Sequence, residues 1–411
     1  MNVAPVKNAS VWGSLRTLFM GSMVIFLINI YFGFDNSLTI GEIPRWQVLI
    51  HLHGGSIGWI TLSAIGIAVW LLTGQRDVTP AYEGRVRTLT WAAIVIFAGY
   101  VVAFGLAFSR PSGFLVTLHP IFGAGAVLVL WYAAIFALSQ LRNQPVTTTV
   151  HLLAASALLV AAIGATVGML LGLERAIGRF LPLPELDRVG AHAGMMDTYL
   201  FLIASAVIEW ITLGDTGKRW TVFGLIQAVA WVIAAALVPI AYFLNMLEQI
   251  LPVFGLLLLV ALIVFLARTA WRTIRTGPAG SPARSWIFFG TLWFLVYIGF
   301  FFYVIGTGAD FTALPAWFGA VFAHTAFVGM MTNLILGVLS TRTQDARSVV
   351  AWGETAALWT INGGMVVFFA LKIASDVRLG AIVMGVGVVL GIFTMFMRLR
   401  ASGSMAAAGA A

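Results

Sequence analysis

Residues 45–73 read RWQVLIHLHGGSIGWITLSAIGIAVWLLT, and this stretch decides the class of the protein. After Arg45 it carries no formally charged side chain, only two histidines and scattered hydroxyls. A helix rises about 1.5 Å per residue, so this stretch outspans the ~30 Å hydrocarbon core of a bilayer. In lipid, backbone polar groups find no water, which leaves the helix as the natural conformation for one long apolar segment.

Working outward, eleven further apolar runs recur, at about 15–34, 88–109, 113–139, 148–173, 189–213, 220–244, 246–268, 284–306, 315–340, 352–374 and 379–397. The expected fold is all-α, a polytopic membrane helical bundle of about twelve transmembrane helices. Residues 1–400 read as one transmembrane domain, and the small-residue tail 401–411 as disordered. Only Asn245 and Glu248 mark a break between the seventh and eighth runs. Composition agrees: 61% of residues are hydrophobic and 9% charged, against about a quarter charged in soluble domains. The net charge of +8 is spread between apolar runs rather than gathered in a patch, which excludes a nucleic-acid partner and leaves lipid as the expected environment. The chain has no cysteine, which excludes disulfides, iron–sulfur clusters and thiolate metal sites.

The 23 Lys and Arg residues set an orientation. With twelve spans, sixteen of them share the side of the termini, six lie opposite, and Lys372 falls within a span. Both termini are therefore expected on the cytoplasmic side of a cell inner membrane.

The six histidines carry the chemistry: His51, His53, His119, His151, His192 and His324. All fall in or near expected spans, where an ionisable side chain is costly and points to function. His53 sits about eight residues into the second span and His324 about nine into the tenth, so both lie roughly 12–14 Å below the outer boundary. His119 and His192 are shallower in the same leaflet, whereas His151 enters from the other side. His51 and His53 are two apart and so point about 200° away from each other. One can ligate while the other bonds a neighbour or a propionate. Gly54, Gly55 and Gly58 follow; they suit either close approach of a flat macrocycle or close helix packing. In the sixth span His192, Met195, Met196 and Tyr199 share one face, which suits a cofactor wall or plain packing. For Asp197, Glu209, Glu248 and Lys372, interhelical bonding or snorkelling is the plainer reading.

Twelve spans with histidines on the second, sixth and tenth resemble the catalytic subunit of heme-copper oxidases and nitric oxide reductases. In that family a low-spin heme is held between a histidine of the second helix and one of the tenth. His53-Gly54 resembles the family's His-Gly ligand, His324 its partner, and Arg378 stands where a basic residue meets the heme propionates. His51-Leu52-His53, and His324 followed by Val328-Gly329 and Met331, are also similar to NnrS-type heme membrane proteins linked to nitric oxide stress. The pattern departs from the oxidases in three places. The seventh span has no histidine, Phe322 stands where a second tenth-helix histidine would bind the high-spin heme, and Met196 stands where a tyrosine would follow His192. A standard copper centre is therefore not expected.

The resemblance implies a b-type heme on His53 and His324, with His119 and His192 as candidates for a second heme or metal. It implies electron transfer or NO/O₂ chemistry, with a cytochrome c-like or other redox subunit as partner. If the chain is an enzyme, the resemblance makes it an oxidoreductase. A non-catalytic subunit of a respiratory complex and a twelve-helix secondary transporter stand as alternatives.

Overall fold

The computed structural model describes residues 9–39, 43–73, 77–109, 113–144, 147–178, 185–214, 221–307, 316–373 and 378–408. Among these, twelve helices are long and apolar enough to cross a membrane. We number their spans α1 (Ser10–Leu38), α2 (Arg45–Thr73), α3 (Pro80–Ser109), α4 (Val116–Leu141), α5 (Thr149–Glu174) and α6 (Gly190–Leu213). They continue with α7 (Val222–Phe243), α8 (Glu248–Thr276), α9 (Pro282–Thr307), α10 (Trp317–Arg342), α11 (Ala351–Lys372) and α12 (Arg378–Ser402). The protein is thus an all-α polytopic membrane protein. Several of the orienting cations, Lys7, Arg76, Arg110, Arg179, Lys218 and Arg219, lie outside the described residues.

Each expected run is a helix, but several helices start earlier than their apolar stretch. α3 begins at Pro80, two turns before the run at 88, because Pro is well suited to a first helical position and Glu83 lies in the first turn. α7 and α8 part where the sequence marks a break: Asn245 adopts a positive φ of 53°, a conformation asparagine tolerates better than most residues. The tail is a correction. The helix that begins at Arg378 runs on through Ala408, so residues 401–408, expected to be disordered, are helical. Alanine is the strongest helix former, and the tail is rich in it.

Neighbouring helices pack in sequence order, and α1 packs against α2, α3 and α12, which closes the bundle. Enclosure is uneven. The most hydrophobic window of α2 is 89% buried, and those of α6 and α10 are each 72% buried, against 28% for α8. The three enclosed helices carry four of the six histidines. A helix buried on all sides needs no polar face, which is why α2 shows no amphipathic stripe.

Three sets of buried polar groups are paired across helices. Arg398 of α12 bonds Glu354 of α11, both side chains 1% exposed, and Trp286 of α9 donates to the same carboxylate at 3.1 Å. Arg268 of α8 reaches Glu209 of α6 at 2.8 Å and Gln227 of α7 at 2.9 Å. Asn333 of α10 and Asn362 of α11 exchange amide bonds at 3.2 and 3.0 Å, and Trp293 donates to Asn362 at 2.8 Å. These pairings explain Glu209 as structural. Asp197 accepts a 2.7 Å bond from Tyr297.

Candidate functional site

α2 and α10 bring two imidazoles close together. The ring centres of His51 and His324 are 5.9 Å apart and their planes differ by 30°. His51 Nδ1 bonds the Asn29 carbonyl of α1 at 2.9 Å, and His324 Nδ1 bonds the Ala320 carbonyl one turn earlier at 2.8 Å. A carbonyl can only accept, so each Nδ1 is the N–H donor and each Nε2 carries the lone pair. That is the tautomer in which an imidazole ligates a metal through Nε2 while a backbone oxygen orients it.

The pair lies in a cavity of about 100 Å³ walled by α1, α2, α10 and α12. Phe26, Phe34, Trp59, Phe327 and Met384 make its lining predominantly apolar. Two local features mark the wall. A Cβ on Gly33 would come within 2.7 Å of His51 Cε1, so glycine is what lets the ring lie flat on α1. Asn29 Oδ1 is buried without a partner at the same wall. Phe368 of α11 packs on His324 with ring centres 4.7 Å apart.

His53 does not face His324. Its Nδ1 bonds the Leu49 carbonyl at 2.9 Å, and its ring stacks on Phe104 of α3 at 4.1 Å. On that side of α2 it meets a second histidine group, lying within electrostatic range of His119 and His192. His119 Nε2 is 3.3 Å from the Tyr100 hydroxyl, and its ring meets Phe104 edge-on at 4.9 Å. His192 Nδ1 donates to the Gly164 carbonyl at 2.8 Å. Both of these rings rest on glycines of α5, where a Cβ at Gly168 or Gly172 would stand 2.6 or 2.7 Å from the ring carbon. Among the described residues, no group of three or more His, Cys, Asp or Glu side chains is arranged to hold a bare metal ion. His151 caps its own helix: Thr148 and His151 exchange side-chain-to-backbone bonds as a capping box. Arg378 opens α12 one turn before Ala381, which lines the His51–His324 cavity.

Both histidine-bearing helices change winding at the site. Gly54–Thr61 of α2 and Thr325–Thr332 of α10 are π-helical, eight residues each, and each begins directly after a histidine. Such segments are rare and concentrate at functional sites. The sequence carries a signal for this that periodicity misses. Trp46, His53, Gly58 and Thr61 match Trp317, His324, Gly329 and Thr332 in spacing. Asn29, Gly33, Tyr100 and Trp59 had no sequence signal of their own.

Comparison with models of protein families and with curated proteins finds no match. The class defined by fold and site is a twelve-helix membrane protein with paired, backbone-oriented imidazoles in a predominantly apolar cavity.

Proposed function

We propose that this chain is a b-type heme protein of the membrane, acting in electron transfer, with His51 and His324 as the residues that would hold the heme. The observation that carries the reading is the 5.9 Å separation of the two ring centres. Two imidazoles at this separation would both be within reach of one iron atom at metal–imidazole bonds of ~2 Å. The tautomers, the glycine under His51, the orphaned Asn29 oxygen and the predominantly apolar walls fit a heme held between α2 and α10. When bound, the heme supplies one-electron redox chemistry.

The chain's own residues do the rest. His51 and His324 hold the iron, while Asn29 and Ala320 orient their rings through backbone carbonyls. The predominantly apolar lining limits water and sets the dielectric around the site. Arg378, one turn before the cavity-lining Ala381, is the cation that would meet a propionate. A heme held by both His51 and His324 would have no position left for NO or O₂, which would favour electron transfer. His51 takes the ligand role that resemblance gave to His53. His53, His119 and His192 lie on the other side of α2, and the absent helix-7 histidines argue against copper. The natural partner is a cytochrome c-like or other redox subunit, within a respiratory or nitric oxide-linked chain. Against a carrier, α2 and α10 stay continuously helical through their π segments, without the unwound backbone that carriers use to bind ions. Purification followed by oxidised and reduced optical spectra tests the reading. A Soret band that disappears in His51→Ala and His324→Ala supports it, and a purified chain with no heme absorption ends it.

A further inference from the structure

The two π-helical segments do more than resemble each other. Trp59 lies eight positions after His51, and Thr332 eight after His324. The Trp59 indole N–H donates to the Thr332 hydroxyl at 3.0 Å, and both side chains are fully buried. Thr332 passes the bond on, donating to the Phe327 carbonyl five residues back at 2.8 Å. Thr61, at the same place in α2, donates to Ser56, also five residues back and also at 2.8 Å. The indole is itself locked, stacked on Phe26 of α1 with ring centres 5.1 Å apart and planes within 2°. Matched glycines take a neighbour into each segment: a Cβ on Gly58 would stand 2.3 Å from Ile25, and one on Gly329 would stand 2.8 Å from Trp293.

These parts form a four-sided frame. α2 and α10 are its two arms, the His51–His324 pair is one rung, and the Trp59–Thr332 bond is the other. The arms have equal residue counts between rungs, and each is π-wound over most of that length, residues 54–59 on α2 and Thr325–Thr332 on α10. A π turn holds i→i+5 bonds, so winding only one arm this way would change its rise and rotation and carry its histidine out of register. We propose that Trp59 and Thr332, with the paired π segments around them, are a register clamp that sets the separation and relative angle of His51 and His324. They are positioning residues: neither needs to touch a metal. Their consequence at an iron rests on the heme reading above, but the clamp itself is a statement about two helices.

The test uses the full-length protein in detergent. Trp59→Phe removes the donor and keeps an aromatic ring on Phe26. Thr332→Val removes the acceptor at similar shape, and Thr332→Ser keeps it. In the heme-loaded protein, the low-spin ferric resonance reports the angle between the two imidazole planes. The clamp predicts that Trp59→Phe and Thr332→Val shift and broaden this resonance while heme is still bound, and that Thr332→Ser restores it. An unchanged resonance in both variants overturns the proposal. A second measurement does not need heme. The natural chain has no cysteine, so His51→Cys/His324→Cys gives a single reactive pair for bis-maleimides of graded length. One reagent length should dominate, and adding Trp59→Phe should lower its yield about fivefold, the factor expected from one lost buried hydrogen bond. Equal yields with and without Trp59→Phe overturn the clamp. If the purified protein shows no heme absorption, the heme reading falls and the cysteine pair alone decides the clamp.

Discussion

Replacing Gly33 with alanine probes the histidine pair without touching either ring's own residue. The added Cβ would sit 2.7 Å from His51 Cε1 and 3.1 Å from Nδ1. Carbon atoms in ordinary contact stand about 3.5–4.0 Å apart, so the ring must retreat by about 1 Å. The ring cannot retreat freely, because its Nδ1–H is bonded to the Asn29 carbonyl on the same helix as Gly33. Moving it stretches that bond and changes the placement of Nε2 relative to His324. Loss of such an orienting contact typically costs about 10–100-fold in metal affinity. The assay is heme content per chain by the pyridine hemochrome, followed as the protein is diluted against a heme-scavenging apoprotein. Gly33→Ala should lose its heme at least about tenfold faster than the natural chain. Two controls isolate the cause. Gly363→Ala adds a Cβ with nothing within 4 Å, and Gly172→Ala presses on His119 at 2.7 Å. Both should keep the His51–His324 heme. Full retention in Gly33→Ala, or equal loss in Gly172→Ala, would refute the reasoning.

Other perturbations follow from the paired polar groups. Arg398→Leu leaves Glu354 buried and uncompensated and should cost about 3–5 kcal/mol in thermal unfolding, while Glu354→Gln/Arg398→Leu should recover much of it. Asn362→Leu strands both Asn333 and the Trp293 N–H, for a loss of about 1–3 kcal/mol by the same assay. Arg378→Gln removes a positive charge near the mouth and should lower the midpoint potential of the heme in a redox titration, because the oxidised iron loses a repelling neighbour.

The sequence and the structure agree where lipid imposes the rule. Twelve apolar runs become twelve helices because a helix satisfies the backbone of a single apolar segment within itself. The Asn245 break was visible because asparagine tolerates positive φ. Helix starts were less visible, since polar turns such as those from Pro80 extend a helix past the lipid without a hydropathy signal. At the site, the sequence singled out His53 on α2 and His324 on α10, whereas the structure sets His51 beside His324. His51 and His53 point to opposite faces, and only tertiary packing decides which face of α2 meets α10. A one-helix argument has no access to Gly33 or Asn29, which lie on α1 and define His51's side. The π segments escaped a periodicity of 3.6, yet they are written in the shared spacing of Trp46, His53, Gly58 and Thr61 with Trp317, His324, Gly329 and Thr332.

The central claim is that the residue 51 and 324 imidazoles clasp one heme iron. The most direct measurement is the reduced-minus-oxidised optical spectrum of the purified chain beside His51→Ala, His324→Ala and His53→Ala. The account predicts a low-spin b-type spectrum in the natural chain, its loss in the first two variants and its survival in His53→Ala. A natural chain without heme absorption, or a spectrum that survives His51→Ala and vanishes in His53→Ala, would contradict it.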